Sequence, residues 1–166
     1  MKSESIKAYS YRISQASPVE LVIIMYDMAI EYLNDAIAES AEDERKDDAK
    51  KQEQFRRNLK YAKRVVDQLA ADLDMQYEVS EELLNLYRIM DRYLIKASVE
   101  KNVGLVETVI SMLSKLRKSF YEISKNDTSE PVMKNTQQVY AGLTYSNAGS
   151  SNEYSKDSVN NRGFMV

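Results

Sequence analysis

A chain of 166 residues can form one domain around a single buried core, and its 26 acidic and 23 basic residues, net charge -3, are mixed so that no basic stripe offers itself to nucleic acid. With no histidine and no cysteine, the usual general base, the usual thiol nucleophile and the two commonest zinc ligands are missing together, and no disulfide framework can form. Composition therefore argues against an enzyme, a metal site or any cofactor, and for a protein that binds other proteins.

Residues 1–16 alternate polar and apolar side chains and lack the continuous apolar centre of a secretory signal. The most apolar run, 21–30, is broken by Asp27 and is too short to cross a bilayer. A cytosolic location and no membrane insertion are expected. Ser17 is a good N-cap, Pro18 suits the first helical turn, and Glu20 completes a capping box. Leu21, Met25, Met28, Tyr32 and Ala36 then recur at helical steps, with Val22, Ala29, Leu33 and Ile37 beside them. This predicts a first long helix over about 18–43.

Between 42 and 57 both signs of charge are dense, a turn is expected, and Asp47/Lys51 and Glu53/Arg57 have ion-pair spacing. Phe55, Leu59, Ala62, Val66, Leu69 and Leu73 form the seam of a second helix, about 48–73. The pattern lapses at 74–79, where Asp74 is expected to end the helix or cap the loop. Ser80, followed by Glu81 and Glu82, is expected to cap a third helix over about 81–101, with Leu83, Tyr87, Met90, Leu94 and Ala97 as its stripe. Asn102 is expected to cap the last, about 103–124, built on Val106, Val109, Leu113, Leu116, Phe120 and Ile123. The simplest architecture is all-α, an antiparallel four-helix bundle (17–124) with a short N-terminal capping segment (1–16) and a polar, largely irregular, mobile tail (125–166).

Chemistry has few parts to work with. Di-metal bundles need histidine, phosphate loops need glycines, and acidic pairs such as Glu81/Glu82 are explained by solvated helix starts. Twelve Tyr and eight Met with no Trp suit an adaptable binding surface, although residue by residue Met25, Met28, Met90 and Met112 read first as ordinary core fillers. Asp27, among apolar neighbours, is expected to bond a nearby hydroxyl or backbone N–H rather than a ligand.

Tyr9, Ala16-Ser17-Pro18, Leu21, Tyr26-Asp27, Leu73-Asp74 and Leu86-Tyr87 together resemble the FliS family of flagellin-specific export chaperones, over about residues 5–124. Departures are Met28 and Tyr77-Glu78, where the family commonly has glycine, and Phe120, where it often has tryptophan. The resemblance implies a cytosolic bundle that holds the C-terminal segment of flagellin in a hydrophobic groove, prevents early polymerisation and delivers it to the export gate of the flagellar type III system. It also implies that the segment ahead of the first long helix is a movable cap. Ile6, Tyr9, Ile13, Leu21, Met25, Tyr26, Met28, Leu73, Leu86, Tyr87 and Met90 are the expected partner-binding residues, with Ser17, Asp27 and Asp74 in structural polar roles. Val132, Val139, Tyr140 and Leu143 could let the tail occupy the groove as a client mimic. Two rival readings are a helical adaptor for a different cytosolic protein and a small bundle using its carboxylates.

Overall fold

The computed structural model describes residues 3–41 and 48–133. Five helices run in order: α1 (Ser3–Gln15), α2 (Pro18–Ala41), α3 (Asp48–Ala71), α4 (Glu78–Glu100) and α5 (Val103–Ser124). The expected capping segment is thus itself a helix. Helix α2 packs against α3 and α5, α4 packs against the same two, and α1 leans on α2. A 24-residue helix is about 36 Å long at 1.5 Å per residue. The connections 72–77 and 101–102 are far too short to return along such a helix. Consecutive helices of the four-helix ring therefore alternate in direction.

Local chemistry accounts for most boundaries. Ser17 and Glu20 form the expected capping box: the Ser17 N–H donates to Glu20 Oε2 at 2.9 Å and the Glu20 N–H to Ser17 Oγ at 3.3 Å. Asn102 Oδ1 accepts from the Leu105 N–H at 3.2 Å and starts α5. Glu53 and Arg57 pair at 3.4 Å, whereas Asp47 lies outside the described residues.

The expected start of α4 needs correction. The helix begins at Glu78, and extended Tyr77 occupies the cap position with no side-chain bond. Ser80 faces backward instead: its hydroxyl donates to the Asp74 carbonyl at 2.6 Å. Asp74 does cap the loop, its Oδ1 accepting from the Gln76 N–H at 3.0 Å. This turn ends α3 at Ala71, so Leu73 lies in the connection. At the other end of α4, Lys101 adopts φ 56°, the left-handed geometry that lets its N–H close on the Ala97 carbonyl.

The core runs through the middle of the ring. Phe55, Leu59, Ala62, Val66 and Leu69 of α3 face Tyr87, Met90, Leu94 and Ala97 of α4 and Val106, Val109 and Leu113 of α5. On α2 the deepest line is Tyr26, Ala29, Leu33 and Ala36, while Met25 and Tyr32 pack at its margin. The expected line through Leu21, Met25 and Met28 is therefore rotated by about one residue, because α2 has to bury apolar surface on more than one side. Ile123, expected in the α5 stripe, is exposed.

Across the core the Tyr26 and Tyr87 hydroxyls share a hydrogen bond of 2.5 Å, and the Phe120 ring meets Tyr26 edge-on at 5.5 Å. Both tyrosines are buried, so each hydroxyl depends on the other, and burial holds both phenols neutral with pKa values above the ordinary range. Tyr26→Phe is expected to leave the Tyr87 hydroxyl buried without a partner and to cost about 1–3 kcal/mol in urea unfolding. The double variant Tyr26→Phe/Tyr87→Phe should lose less than the sum of the two single losses; strict additivity would show that the bond contributes nothing.

Candidate partner-binding site

Helix α1 presents Ile6, Tyr9 and Ile13 at steps of three and four, the spacing of one helical face. Its contact with the bundle is uneven. Tyr9 and Ile13 are partly buried and Ser14 is buried, but Ile6 is 54% exposed, so the C-terminal half of the helix provides the seat. Beneath and beside it Ala16, Ile23 and Ile24 are buried apart from the main core cluster. A cavity of about 350 Å³ remains between α1, α2 and α5, walled by Tyr11, Gln15, Ile23, Ile24, Arg117 and Tyr121 among others.

Polar groups tie α1 down. Asp27, the charge inside the apolar run of α2, takes Arg12 of α1 at 2.8 Å through Oδ2 and Arg117 of α5 through Oδ1. The expectation of a hydroxyl or backbone partner for Asp27 is thus corrected: it accepts two guanidiniums. Arg117 is held more firmly protonated by this hydrogen bond. Arg12 also lies 5.6 Å from the centre of the Tyr9 ring. Burial, and then a hydrogen bond to Glu31, push the Tyr9 phenol above its ordinary pKa, so it stays a neutral donor.

The joint between α1 and α2 is only Ala16 and Ser17, both buried. The chain leaving α5 returns to it. Ser17 Oγ, which accepts from Glu20, donates to Asp127 Oδ2 at 2.8 Å, and the Val132 N–H donates to the Ala16 carbonyl at 3.1 Å. Asp127 is itself folded onto the Ser129 N–H at 3.0 Å. Residues 127–132 thus form a strap across the hinge, while the Val132 side chain stays exposed. The other residues expected to form a groove mimic, Val139, Tyr140 and Leu143, lie outside the described residues.

The expected binding residues do not make one surface. Tyr9 and Ile13 belong to the α1 seat, with Ile6 beyond it. Leu21 and Met28 are partly buried on α2. Met25, Leu73 and Leu86 pack against the core, and Tyr26, Tyr87 and Met90 are inside it, closed to any partner while the bundle is shut. Arg12, Ile23, Ile24, Glu31, Arg117 and Asp127 were not singled out from the sequence. Ile23-Ile24 did leave a signal: a run of apolar residues wider than one stripe means a helix buried on several sides. The others show only through contacts distant in sequence.

A model of the family described as flagellar protein FliS matches residues 3–127, which takes in all five helices and ends at the strap carboxylate. No curated protein matches the chain closely enough to supply a relative.

Arg12→Ala removes one half-exposed ion pair. It should speed amide exchange across α1 while lowering global stability by less than about 1 kcal/mol; unchanged exchange in α1 would show that Asp27 does not hold the helix. The strap carries a pH signature. Bonds from Ser129 and Ser17 depress the Asp127 pKa, so its contribution is complete above the unfolded value of about 3.9 and fades as pH falls through the lower folded one. Amide chemical shifts of Ser129 and Val132 should move together only in that acidic window, and Asp127→Ala should abolish the transition.

Proposed function

The chain belongs to the FliS family of flagellar export chaperones, and we propose that its client is the C-terminal segment of flagellin, which it covers and hands to the export gate of the flagellar type III apparatus from the cytosol. The family is one of chaperones rather than enzymes and implies a flagellar protein as partner. Among the described residues no helix is long and apolar enough to cross a membrane.

The observation that carries the proposal is the incompletely filled seat of α1. At 13 residues, α1 is near the length below which an isolated helix is marginal in water, about 12–15 residues, so it owes its order to its seat. That seat combines Ile23 and Ile24 with a cavity open to solvent. A hinge of two residues lets α1 swing away without disturbing the core behind it. An amphipathic client segment, whose apolar stripe has no partner until it reaches its final assembly, is an aggregation hazard and fits such a seat. Each aliphatic anchor it buries there contributes about 1.5–3 kcal/mol before ordering costs. Displacement of α1 subtracts from that gain and keeps binding reversible, as delivery requires.

In this exchange Tyr9 and Ile13 of α1 leave the seat, and Leu21 and Met28 of α2 are the proposed positions where client and cap compete. Tyr26, Tyr87 and Met90 support that surface from within the core rather than touching the client. Calorimetry with a C-terminal fragment of the cognate flagellin is expected to show saturable binding to the intact chain. Removal of residues 1–14 should change that affinity and reduce the solubility of the free protein by uncovering Ile23 and Ile24. No binding to the folded protein would overturn the client assignment, and unchanged affinity with unchanged solubility would overturn the cap.

A further inference from the structure

The face of the bundle opposite α2 and α5, where α3 meets α4, carries a second groove, of about 320 Å³. Leu59 and Leu94 form its buried floor. One wall is apolar: Ile95 and Val99, one helical turn apart on α4, are 49% and 74% exposed. The other wall is cationic, with Arg56 and Lys60 one turn apart on α3 and Lys63 at the end. Lys63 is neutralised by Asp67 at 2.9 Å and Asp91 at 2.7 Å. Arg56 and Lys60 have no carboxylate partner among the described residues. Charge is biased between these helices: α2 carries Glu20, Asp27, Glu31, Asp35 and Glu39 and no cation, whereas α3 adds Lys50, Lys51, Arg57 and Arg64 to the three cations of the groove, against Asp48, Glu53 and Asp67.

We infer that this groove is a docking site for an acidic amphipathic helix of a partner protein, separate from the α1 seat. The occupant follows from what each wall requires. Ile95 and Val99 call for apolar side chains at helical spacing, which a nucleic acid backbone does not offer. A purely apolar partner would cover Arg56 and Lys60 without giving them a counter-charge. A helix with leucine-like residues at i and i+4 and carboxylates along one flank satisfies both walls, and Asp67 and Asp91 at the closed end repel a register slip in that direction. The remainder of this chain does not meet the requirement, since residues 134–166 carry Lys134, Lys156 and Arg162 against Glu153 and Asp157. Because α1 lies across the bundle, both sites can be filled at once, and this inference stands whether or not flagellin is the client.

The test uses the full-length chain and fluorescence anisotropy with a labelled helical peptide carrying a leucine ridge and a glutamate flank, beside the same peptide with a lysine flank. The glutamate peptide should bind at least about tenfold more tightly and weaken as salt rises. Arg56→Glu with Lys60→Glu, both exposed positions, should reverse the preference, and Val99→Asp should weaken both peptides, with circular dichroism showing the bundle intact. Equal affinity for the two peptides, indifference to the charge reversal, or binding of duplex DNA or anionic vesicles in place of the peptide would each overturn the inference. No flagellin enters the measurement, so its failure and that of the client assignment are read separately.

Discussion

Helix α2 has to bury apolar side chains toward α3, toward α5 and beneath α1, and the rest of the architecture answers that demand. Tyr26, Ala29, Leu33 and Ala36 fill the ring, and small Ala29 and Ala36 let the neighbouring helices approach. Ile23 and Ile24 are buried outside that cluster, lining the cavity between α1, α2 and α5. A helix with a single stripe would have needed no N-terminal helix. The wide apolar surface of α2 gives α1 a place to pack.

That arrangement places polar ties where apolar burial is thinnest. Asp27 sits at the edge of the seat, and its two guanidinium partners come from the helices on either side, so a single carboxylate links α1 and α5 through α2. At the hinge the Ser17 hydroxyl both accepts and donates, which joins helix initiation to the strap from beyond α5. Such ties are individually weak and exchangeable with water. They orient α1 against α2 and α5, while the Tyr26–Tyr87 bond lies inside the core, away from α1.

Two faces with different chemistry follow from the ring. On the α2–α5 side α2 bears carboxylates and no cation, and α1 of the chain itself packs there. On the α3–α4 side the α3 wall of the groove is cationic, and Ile95 and Val99 of α4 are bare beside it. In the proposed carrier role, separate surfaces for the client and for a second partner would let one be occupied without vacating the other.

The existence and order of α2 to α5 and most of the core were legible in the sequence because they depend on local periodicity and caps, whereas the helical form of α1 was not: Ser17/Glu20, Asn102 and the seams of α3, α4 and α5 are all short-range patterns. The family resemblance was legible for the same reason, as a set of short motifs in order. Ser80 was misread because a serine before two glutamates is an ordinary cap, and only the position of the Asp74 carbonyl turned its hydroxyl the other way. Tyr26, Tyr87 and Met90 read as surface candidates since sequence does not distinguish a tyrosine paired inside a core from one presented to a partner. The decisive pairings join residues 61, 90 and 110 positions apart. Contacts at such separations arise only when the ring closes, so tertiary structure alone decided which carboxylate pairs with α1, which hydroxyl meets the strap and which apolar strip stays open.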